Sequence, residues 1–323
     1  MVPDGGRVRV SVIIPTLNEG ERIRGLLRSL KEAPYPEKEI IVVDGGSTDG
    51  TAEIAREEGA TVLREEGPVR GPGNARNQGA RAARGEVLAF FDADEKGVNR
   101  EFFERVMKHF EDEEVVAVLT SLEILPSTFF RRWYLSMRSS TFSRKAEAGL
   151  YGPSLPFTFI RKGLFLELGG FAPTGTGEED NLNLRLRDYL ASHPERRWVY
   201  EPRAVRYDGS ALTVGEYFRQ SVWYGKSAIP YLRSSERGLL PKLVIGFGPL
   251  LYVFSLTSPF LLPLSRWFLL PFLFYLPKLG LILWDTLRDR RLHRLLTPVM
   301  DLVKGYGHLL GLLKYLFSRR ATR

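Results

Sequence analysis

Two aspartates, Asp92 and Asp94, stand one residue apart directly after an apolar run at 87–91. Side chains two residues apart on an extended segment point the same way, so we expect the two carboxylates to converge on one ligand. Carboxylates this close repel each other unless a cation lies between them, and a hard divalent ion carrying phosphate oxygens is the natural ligand. For an isolated Asp-x-Asp, a solvated turn after a strand is the alternative.

The elements that would position these aspartates are strands alternating with helices. Apolar, β-branched runs at 8–14, 39–43 and 61–63 precede the one that ends at the aspartates. Apolar residues at helical spacing follow the first run, with Asn18 as the expected N-cap: Ile23, Leu26, Leu27 and Leu30. The alternation predicts an α/β fold with a mostly parallel sheet sandwiched by helices, and any ligand at the carboxyl ends of the strands.

Three acid-bearing turns fall at that edge of the sheet, namely Pro15–Glu19, Asp44–Thr51 and Asp92–Asp94. Folding alone asks for turn residues there, not for repeated carboxylates. Nearby glycines, at 45, 46, 50, 71, 73 and 79, would permit close backbone approach, and helix N-termini would face phosphate. The pattern favours a nucleoside diphosphate held through a metal. P-loop and classical dinucleotide-binding folds are disfavoured because neither glycine motif occurs in its required place.

These motifs resemble, in order, those of the family 2 glycosyltransferases with the GT-A fold: Ser11–Glu19, Ile41–Thr51, Gly73–Gly79 and Phe91–Asp94. Further on, Gly169–Phe171 and Gly177–Arg185 resemble the acceptor-side motif of the family. Each motif alone is weak, but the ordered set is specific. The resemblance extends to membrane-anchored polyprenyl and dolichyl phosphate sugar synthases.

The resemblance implies a nucleotide-binding set: Pro15, Leu17, Glu19, Asp44, Arg76, Asp92, Ala93 and Asp94. The first four would hold the base and ribose, and Arg76 would approach the phosphates. Asp92 and Asp94 would contact the ribose and the Mn²⁺ or Mg²⁺ that neutralises the departing diphosphate. Helix capping is the alternative for Glu19, and a solvated helix position is the alternative for Arg76.

The resemblance also places the catalytic base in Gly177–Arg185. An inverting transfer needs a carboxylate to take the acceptor's proton, and Asp180 is the expected base. The spacing departs from the usual family pattern, and an alignment on Leu182 and Arg185 puts Glu179 in the catalytic place. If the acceptor is a phosphate, which is already ionised, the base would matter little. A helix start enriched in acids for its dipole is the alternative.

Composition narrows the class of protein. The chain has 323 residues, of which 44% are hydrophobic, so it is long enough for more than one domain and a sizeable core. It has no cysteine, which excludes disulfides and thiolate metal sites. Residues 266–323 hold 11 Lys/Arg against 3 Asp/Glu, which equals the net charge of +8 for the whole chain. The charge belongs to the tail, so nucleic-acid binding is disfavoured.

Basic and aromatic residues mix at 129–135, where Arg131 and Arg132 stand among four aromatic side chains. This composition suits a membrane interface, a nucleic-acid surface or a plain amphipathic helix. Gln220 and Trp223 match part of an acceptor-side Gln, Arg and Trp motif that many family members carry. We therefore expect these four residues on the acceptor side.

The C-terminal region predicts a membrane. Residues 243–265 carry no charge, and 267–284 are apolar but for one lysine. Two such spans would form a helical hairpin, and the basic residues on both flanks would keep its ends in the cytosol. An amphipathic helix, broken near Pro298 and Gly305, would follow on an anionic membrane surface. A re-entrant platform over 243–317 that never crosses the bilayer is the alternative.

The sequence thus predicts a cytosol-facing GT-A domain at 1–235, a membrane hairpin at 236–286 and a basic interfacial helix at 287–323. The expected reaction is metal-dependent, inverting transfer of a hexose from a UDP- or GDP-sugar to a membrane lipid, with polyprenyl or dolichyl phosphate as acceptor. A lipid-linked oligosaccharide or glycolipid is the alternative acceptor. Outside this class, a nucleotidyltransferase and a non-catalytic nucleotide-binding membrane scaffold are the rival hypotheses.

Overall fold

A computed structural model describes residues 8–67, 70–124, 128–134, 158–172, 178–208, 213–236, 238–261, 263–289 and 292–318. The chain forms two compact units. The first comprises residues 1–125 with 141–210, and the second comprises 126–140 with 211–323.

The first unit is built on an eight-stranded sheet. Its strands are β1 Val10–Thr16, β2 Lys38–Asp44, β3 Thr61–Arg64, β4 Val87–Phe90, β5 Gly97–Val98, β6 Val115–Ile124, β7 Thr158–Arg161 and β8 Arg197–Asp208. They are ordered β3-β2-β1-β4-β7-β6-β8-β5. Strands β3, β2, β1 and β4 are parallel to one another. Strand β7 runs antiparallel to both of its neighbours, β6 pairs parallel with β8, and β5 pairs antiparallel with β8.

The parallel half of the sheet brings the expected site segments to one edge. Thr16 at the end of β1 lies beside Asp44 at the end of β2, and the Gly45 N–H donates to the Thr16 carbonyl oxygen at 2.9 Å. On the other side of β1, the Phe91 N–H donates to the Ile13 carbonyl oxygen at 3.1 Å. The turns after β1, β2 and β4 therefore lie at the same edge, as the sequence predicts.

Helices cover both faces of this sheet. They are α1 Gly20–Glu32, α2 Thr51–Glu57, α3 Pro72–Ala82, α4 Phe102–His109, α5 Lys162–Glu167 and α6 Glu178–Ser192. Successive β1 residues, such as Val12 and Ile13, belong to two separate buried cores. Because both faces are covered, the parallel strands β1, β2 and β4 are mostly apolar rather than alternating. The α/β fold with helices on both faces of the sheet, expected from the sequence, is confirmed.

The first helix confirms its predicted apolar face but not its predicted cap. The four residues expected to face the core are buried: Ile23, Leu26, Leu27 and Leu30. The N-cap position is Glu19, and Asn18 adopts a left-handed conformation with φ of 56°. The Asn18 side-chain oxygen accepts instead from the Thr48 N–H at 2.9 Å. Asn18 therefore links two turns of the sheet edge, and its expected role as N-cap is wrong.

The second unit is helical in its described part. It contains α7 Val214–Ser234, α8 Leu239–Thr257, α9 Leu269–Leu273, α10 Leu276–Asp289 and α11 Thr297–Ser318, with short 3-10 turns at Ser258–Leu261, Arg266–Phe268 and Leu292–Leu296. Helix α7 begins with a capping box in which Thr213 and Glu216 each bond the other's backbone N–H. Among the described residues, one helical stretch, Leu269–Arg288, has the length and apolar composition to cross a bilayer.

Helix α11 differs from its sequence prediction. It runs unbroken from Thr297 to Ser318, so the break expected near Pro298 and Gly305 is wrong. Pro298 is the second helical residue, where a missing N–H is tolerated. At Gly305, a Cβ would collide with the Val253 side chain and the Pro249 carbonyl oxygen. The glycine therefore permits close packing of α11 on α8.

Candidate functional site

The two aspartates singled out by their spacing lie in a turn. Strand β4 ends at Phe90, and the Glu95 N–H donates to the Asp92 carbonyl oxygen at 3.0 Å, which closes a turn over 92–95. Ala93 is buried, whereas Asp92 and Asp94 are partly exposed. The expectation of an extended Asp92–Asp94 segment is therefore wrong, although the aspartates do lie at the carboxyl edge of the sheet.

A buried arginine fixes the Asp92 side chain. The Arg76 Nη2 donates to Asp92 Oδ1 at 2.5 Å, and its Nη1 donates to Glu178 Oε1 at 2.8 Å. Burial alone would lower the pKa of this guanidinium, but the charges of Asp92 and Glu178 outweigh burial and raise it. Burial raises the pKa of the Glu178 carboxyl, and Arg76 opposes that rise. The alternative of a solvated Arg76 is wrong, because this residue is only 4% exposed.

A second buried ion pair holds the backbone of the same turn. Arg206 on β8 donates twice to Glu95, from Nε at 2.9 Å and from Nη2 at 2.6 Å. Its Nη2 also donates to the Phe90 carbonyl oxygen at 2.6 Å, and its guanidinium lies 3.8 Å from the centre of the Phe91 ring. Glu95 Oε1 in turn accepts from the Asp92 N–H at 2.8 Å. The turn is thus fixed through its backbone by one pair and through its side chain by another.

Replacing Arg206 by methionine should lower the free energy of unfolding by about 3–5 kcal/mol, because it leaves Glu95 buried without its partner. Urea unfolding of the purified protein measures the change. The matched control is Arg197→Met on the same strand, whose ion pair with Glu114 is half exposed and should contribute less than about 1 kcal/mol. Equal losses in the two variants would contradict the structural role given to Arg206.

The end of β1 and the turn after it carry buried polar atoms that lack hydrogen bonds to the described residues. Thr16 Oγ1 and Glu19 Oε2 are buried and have no hydrogen-bond partner among the described residues. Arg22 Nη1 lies 3.6 Å from the Glu19 oxygen. Burial raises the pKa of Glu19, and the charge of Asp92 adds to the rise while Arg22 opposes it. Buried polar atoms of this kind are costly unless a ligand or water satisfies them, so this turn suits a polar ligand.

The turn after β2 is organised by Asp44. Its buried carboxylate accepts from the N–H groups of Gly46 and Ser47, both at 3.0 Å. On the neighbouring turn, Pro15 is partly exposed and the Leu17 side chain is 56% exposed. Asp44 therefore shapes its own loop, while Leu17 is available for contact from outside.

Two of the glycines expected to admit a ligand serve packing instead. A Cβ on Gly73 would lie 2.7 Å from the Ala172 carbonyl oxygen, and one on Gly79 would lie 2.5 Å from a methyl group of Ile13. Gly73 thus lets α3 approach the start of α6, and Gly79 lets α3 approach β1. At these two positions the close approach is between elements of the fold.

The candidate base residues lie in the first turn of α6. Glu179 is partly exposed, and its charge contributes to the raised pKa of Arg76. Asp180 belongs to the same turn, but its side chain is outside the described part of the structure. Two inward-facing anchors fix the helix: Leu182 is fully buried, and Arg185 Nη2 donates to the Gly170 carbonyl oxygen at 3.0 Å.

The expected acceptor-side residues belong to the second unit. Arg131 is buried and Arg132 is exposed in the helical segment 129–134. On α7, Gln220 is partly exposed and Trp223 is 40% exposed. The role of these residues stays a prediction.

The family is decided by comparison with known proteins. Residues 11–169, which contain the sheet edge with its three turns, match the family described as "Glycosyl transferase family 2". These residues belong to glycosyl transferase family 2. The first unit is therefore a family 2 glycosyltransferase domain with the GT-A fold, as its motifs predict.

Individual relatives match shorter parts of this chain. Glycosyltransferase AglE of Haloferax volcanii is 42% identical over 92 residues, which are 26% of this chain and 30% of that protein. The 4,4'-diaponeurosporenoate glycosyltransferase of Staphylococcus aureus is 35% identical over 106 residues, which are 32% of this chain and 28% of that protein. The matched segments thus span less than a third of either curated relative.

One solved structure is similar over nearly the whole chain. Mannosyltransferase PcManGT from Pyrobaculum calidifontis, in complex with GDP-Man and Mn²⁺, has a TM-score of 0.59 and 20% sequence identity. The similarity covers 97% of this chain and 88% of that one. At this identity the comparison shows the fold alone.

Two residues that fix the candidate site, Glu178 and Arg206, are not predicted from the sequence. The motif Gly177–Arg185 includes Glu178 without giving it a role of its own, and no motif includes Arg206. Their partners lie 102 and 111 residues away in sequence, so no local spacing of residues predicts either ion pair. The only available signal was that a strand residue flanked by apolar neighbours, Arg206, carries a charge.

Proposed function

We propose that this chain transfers a hexose from a nucleoside-diphosphate sugar to a lipid acceptor, with polyprenyl phosphate as the acceptor class. The reaction depends on Mn²⁺ or Mg²⁺ and inverts the configuration of the sugar. The protein is bound to a membrane, and its catalytic unit faces the cytosol. The binding of a nucleoside-diphosphate sugar is supported by the acid-rich edge of the sheet, where Arg76 bonds the Asp92 side chain.

The residues at this edge fit a divalent ion with a diphosphate. Among the described residues, no group of three or more acidic or histidine side chains is arranged to hold a metal by itself. Asp92 and Asp94 would therefore supply part of the oxygen ligands, and phosphate oxygens of the donor would supply others. The ion would neutralise the charge of the departing diphosphate. The PcManGT complex, which contains both GDP-Man and Mn²⁺, supports this assignment.

The chain's own side chains perform the remaining steps. Glu19 Oε2 and Thr16 Oγ1, which are buried without hydrogen-bond partners among the described residues, would bond polar groups of the nucleoside. Glu179 or Asp180 at the start of α6 would take the acceptor's proton where the acceptor is a hydroxyl. A phosphate monoester is largely ionised near neutral pH, since its second pKa is about 6, so with that acceptor neither carboxylate has to remove a proton.

The lipid acceptor is supported by the apolar surface of the second unit. Many of its large apolar side chains are more than half exposed: Leu251, Phe260, Leu264, Trp267, Phe274, Leu281, Trp284 and Leu287. Exposed apolar area on this scale indicates a membrane or another apolar partner. The apolar stretch Leu269–Arg288 favours a membrane, because it is long enough to span one. Gln220, Trp223, Arg131 and Arg132, in the same unit, are the proposed acceptor-side residues.

Transfer from radiolabelled UDP-glucose, GDP-mannose and UDP-N-acetylglucosamine to polyprenyl phosphate tests the proposal. With detergent-purified protein and Mn²⁺ or Mg²⁺, we expect one donor to label an acid-labile lipid, and a chelator to stop the labelling. The donor that is used identifies both the nucleotide and the sugar.

Two other outcomes would change the proposal. Donor hydrolysis without lipid labelling would move the acceptor to a lipid-linked oligosaccharide or a glycolipid. The base would then be decisive, and Glu179→Gln and Asp180→Asn would identify it by a loss of roughly 10²–10⁴-fold in rate. No use of any donor would favour a non-catalytic nucleotide-binding scaffold.

A further inference from the structure

One guanidinium joins parts of the first unit that lie far apart in sequence. Arg76 on α3 contacts Asp92, 16 residues away, and Glu178, 102 residues away, with both contacts within hydrogen-bonding distance. The side chains of Arg76 and Glu178 are 5% and 7% exposed, whereas that of Asp92 is 39% exposed. The two ion pairs of Arg76 therefore differ: the one with Glu178 is closed to solvent, and the one with Asp92 is open to solvent.

From this arrangement we infer that Glu178 is a positioning residue for Asp92 and acts on it through Arg76. The inference rests on the proposed function, because Asp92 is the proposed metal ligand. Arg76 has two carboxylates for one charge. Glu178 draws one end of the guanidinium toward the start of α6, which leaves the other end to bond Asp92 Oδ1 and fix the rotation of that carboxylate.

The surroundings of Glu178 show that it is a fixed anchor. Its carbonyl oxygen accepts from the Ala172 N–H at 3.1 Å, and a Cβ on Gly73 would lie 3.0 Å from its own Cβ. Any side chain at Gly73 would thus displace Glu178. The α6 start, α3 and the segment before 173 thus meet at this residue.

The guanidinium is held from its face as well. It lies 5.5 Å from the centre of the Phe171 ring. Asn77 fixes the backbone of Phe171 on both sides, because its amide donates to the Phe171 carbonyl oxygen and its oxygen accepts from the Phe171 N–H, each at 2.9 Å. Because Arg76 is confined in this way, we expect a change of charge at Glu178 to alter the bond between Arg76 and Asp92. A new rotamer of Arg76 would not compensate for it.

The role predicts a specific effect on metal affinity. Glu178→Gln keeps the shape and one acceptor oxygen but removes the charge that balances Arg76. Residues that orient metal-binding carboxylates typically contribute about 10–100-fold to metal affinity. We expect Glu178→Gln and Arg76→Gln each to raise the dissociation constant for Mn²⁺ by about that factor, and the double variant to bind about as weakly as the weaker single one, because both act along one path.

Titration of the full chain with Mn²⁺ alone, followed by the electron paramagnetic resonance signal of the free ion, measures these affinities without relying on turnover. Glu39→Gln is the matched control. Glu39 is a partly buried carboxylate that bonds Ser11 Oγ and the Arg84 N–H near the start of β2, at the opposite edge of the sheet. It should bind Mn²⁺ as the wild type does, and thermal unfolding of each variant separates loss of folding from loss of affinity.

The outcomes separate this inference from the proposed function. Wild-type affinity in Glu178→Gln, or losses that simply add in the double variant, would overturn the inference and leave the proposed function intact. A wild type that binds Mn²⁺ but transfers no sugar would overturn the proposed reaction alone. A wild type that binds no Mn²⁺, either alone or with GDP or UDP present, would remove the metal assignment of Asp92 and the inference with it.

Discussion

Replacing Asp92 or Asp94 by asparagine should reduce sugar transfer by roughly 10²–10³-fold or more in protein that still folds. The expected loss corresponds to several kcal/mol of transition-state stabilisation, which is what a metal-neutralised leaving group contributes. Asparagine keeps the size of each side chain but removes the charge that would attract the ion. The two residues follow β4 at the edge where the proposed donor would bind.

The structure gives Asp92 the larger expected effect of the two. Its Oδ1 is bonded to Arg76 and its N–H is bonded to Glu95, so both its side chain and its backbone are fixed by buried groups. Loss of its charge also leaves Arg76 paired with Glu178 alone among the ion pairs of the described residues. We therefore expect Asp92→Asn to lower the free energy of unfolding by about 1–3 kcal/mol, in addition to lowering activity.

The measurement is initial rate against Mn²⁺ concentration, with the labelled donor that the wild type uses. Asp112→Asn is the control, since Asp112 is likewise a turn aspartate of the first unit but pairs with Glu114 N–H and Arg197 outside the proposed site. Near-wild-type rates in both Asp92→Asn and Asp94→Asn, in protein shown to be folded, would remove these residues from the mechanism.

The parallel half of the sheet was predictable because its signals are local. Strands β1, β2 and β4 are apolar without alternation, and each ends in a polar turn, which is typical of strands buried on both faces. The helix after β1 shows its core face by spacing alone. These features require no knowledge of distant contacts, and they also locate the edge at which the acids gather.

The rest of the sheet and the fine structure of the site depend on distant contacts. Strand β7 has four residues and is inserted between β4 and β6, which no local pattern indicates. The turn at Asp92–Asp94 is set by Glu95, whose partner Arg206 arrives on β8. Spacing therefore predicts the position of Asp92 and Asp94 at the edge of the sheet correctly, but it predicts the wrong backbone geometry between them.

Composition was a partial guide to the C-terminal region. The apolar residues of α11 suggest one amphipathic surface, yet one side of the helix carries the buried residues Asp301, Gly305 and His308. His308 Nε2 lies 2.7 Å from the Gly246 carbonyl oxygen of α8. Glycines that would break an isolated helix are kept here because a neighbouring helix fills the space beside them. Helix packing of this kind is invisible to an amphipathicity argument.

Removing the divalent ion should stop sugar transfer without unfolding the protein. We expect a chelator to lower the rate by roughly 10³-fold or more, because the leaving diphosphate then departs without charge neutralisation. The fold should persist, since Arg76 already supplies an internal counter-charge to Asp92 and Glu178. Addition of Mn²⁺ at 100 times its dissociation constant should then raise the free energy of unfolding by about 2.7 kcal/mol, which is the gain from binding alone.

Rate and urea unfolding, measured on the same chelated and metal-restored samples, check both halves of this expectation. Restoration by Mn²⁺ or Mg²⁺ controls for damage by the chelator. Transfer that persists at the wild-type rate after chelation would exclude the metal from the reaction. Unfolding on chelation would instead make the ion a structural one, and would mean that the charge of Arg76 does not suffice to hold the acids of this edge together.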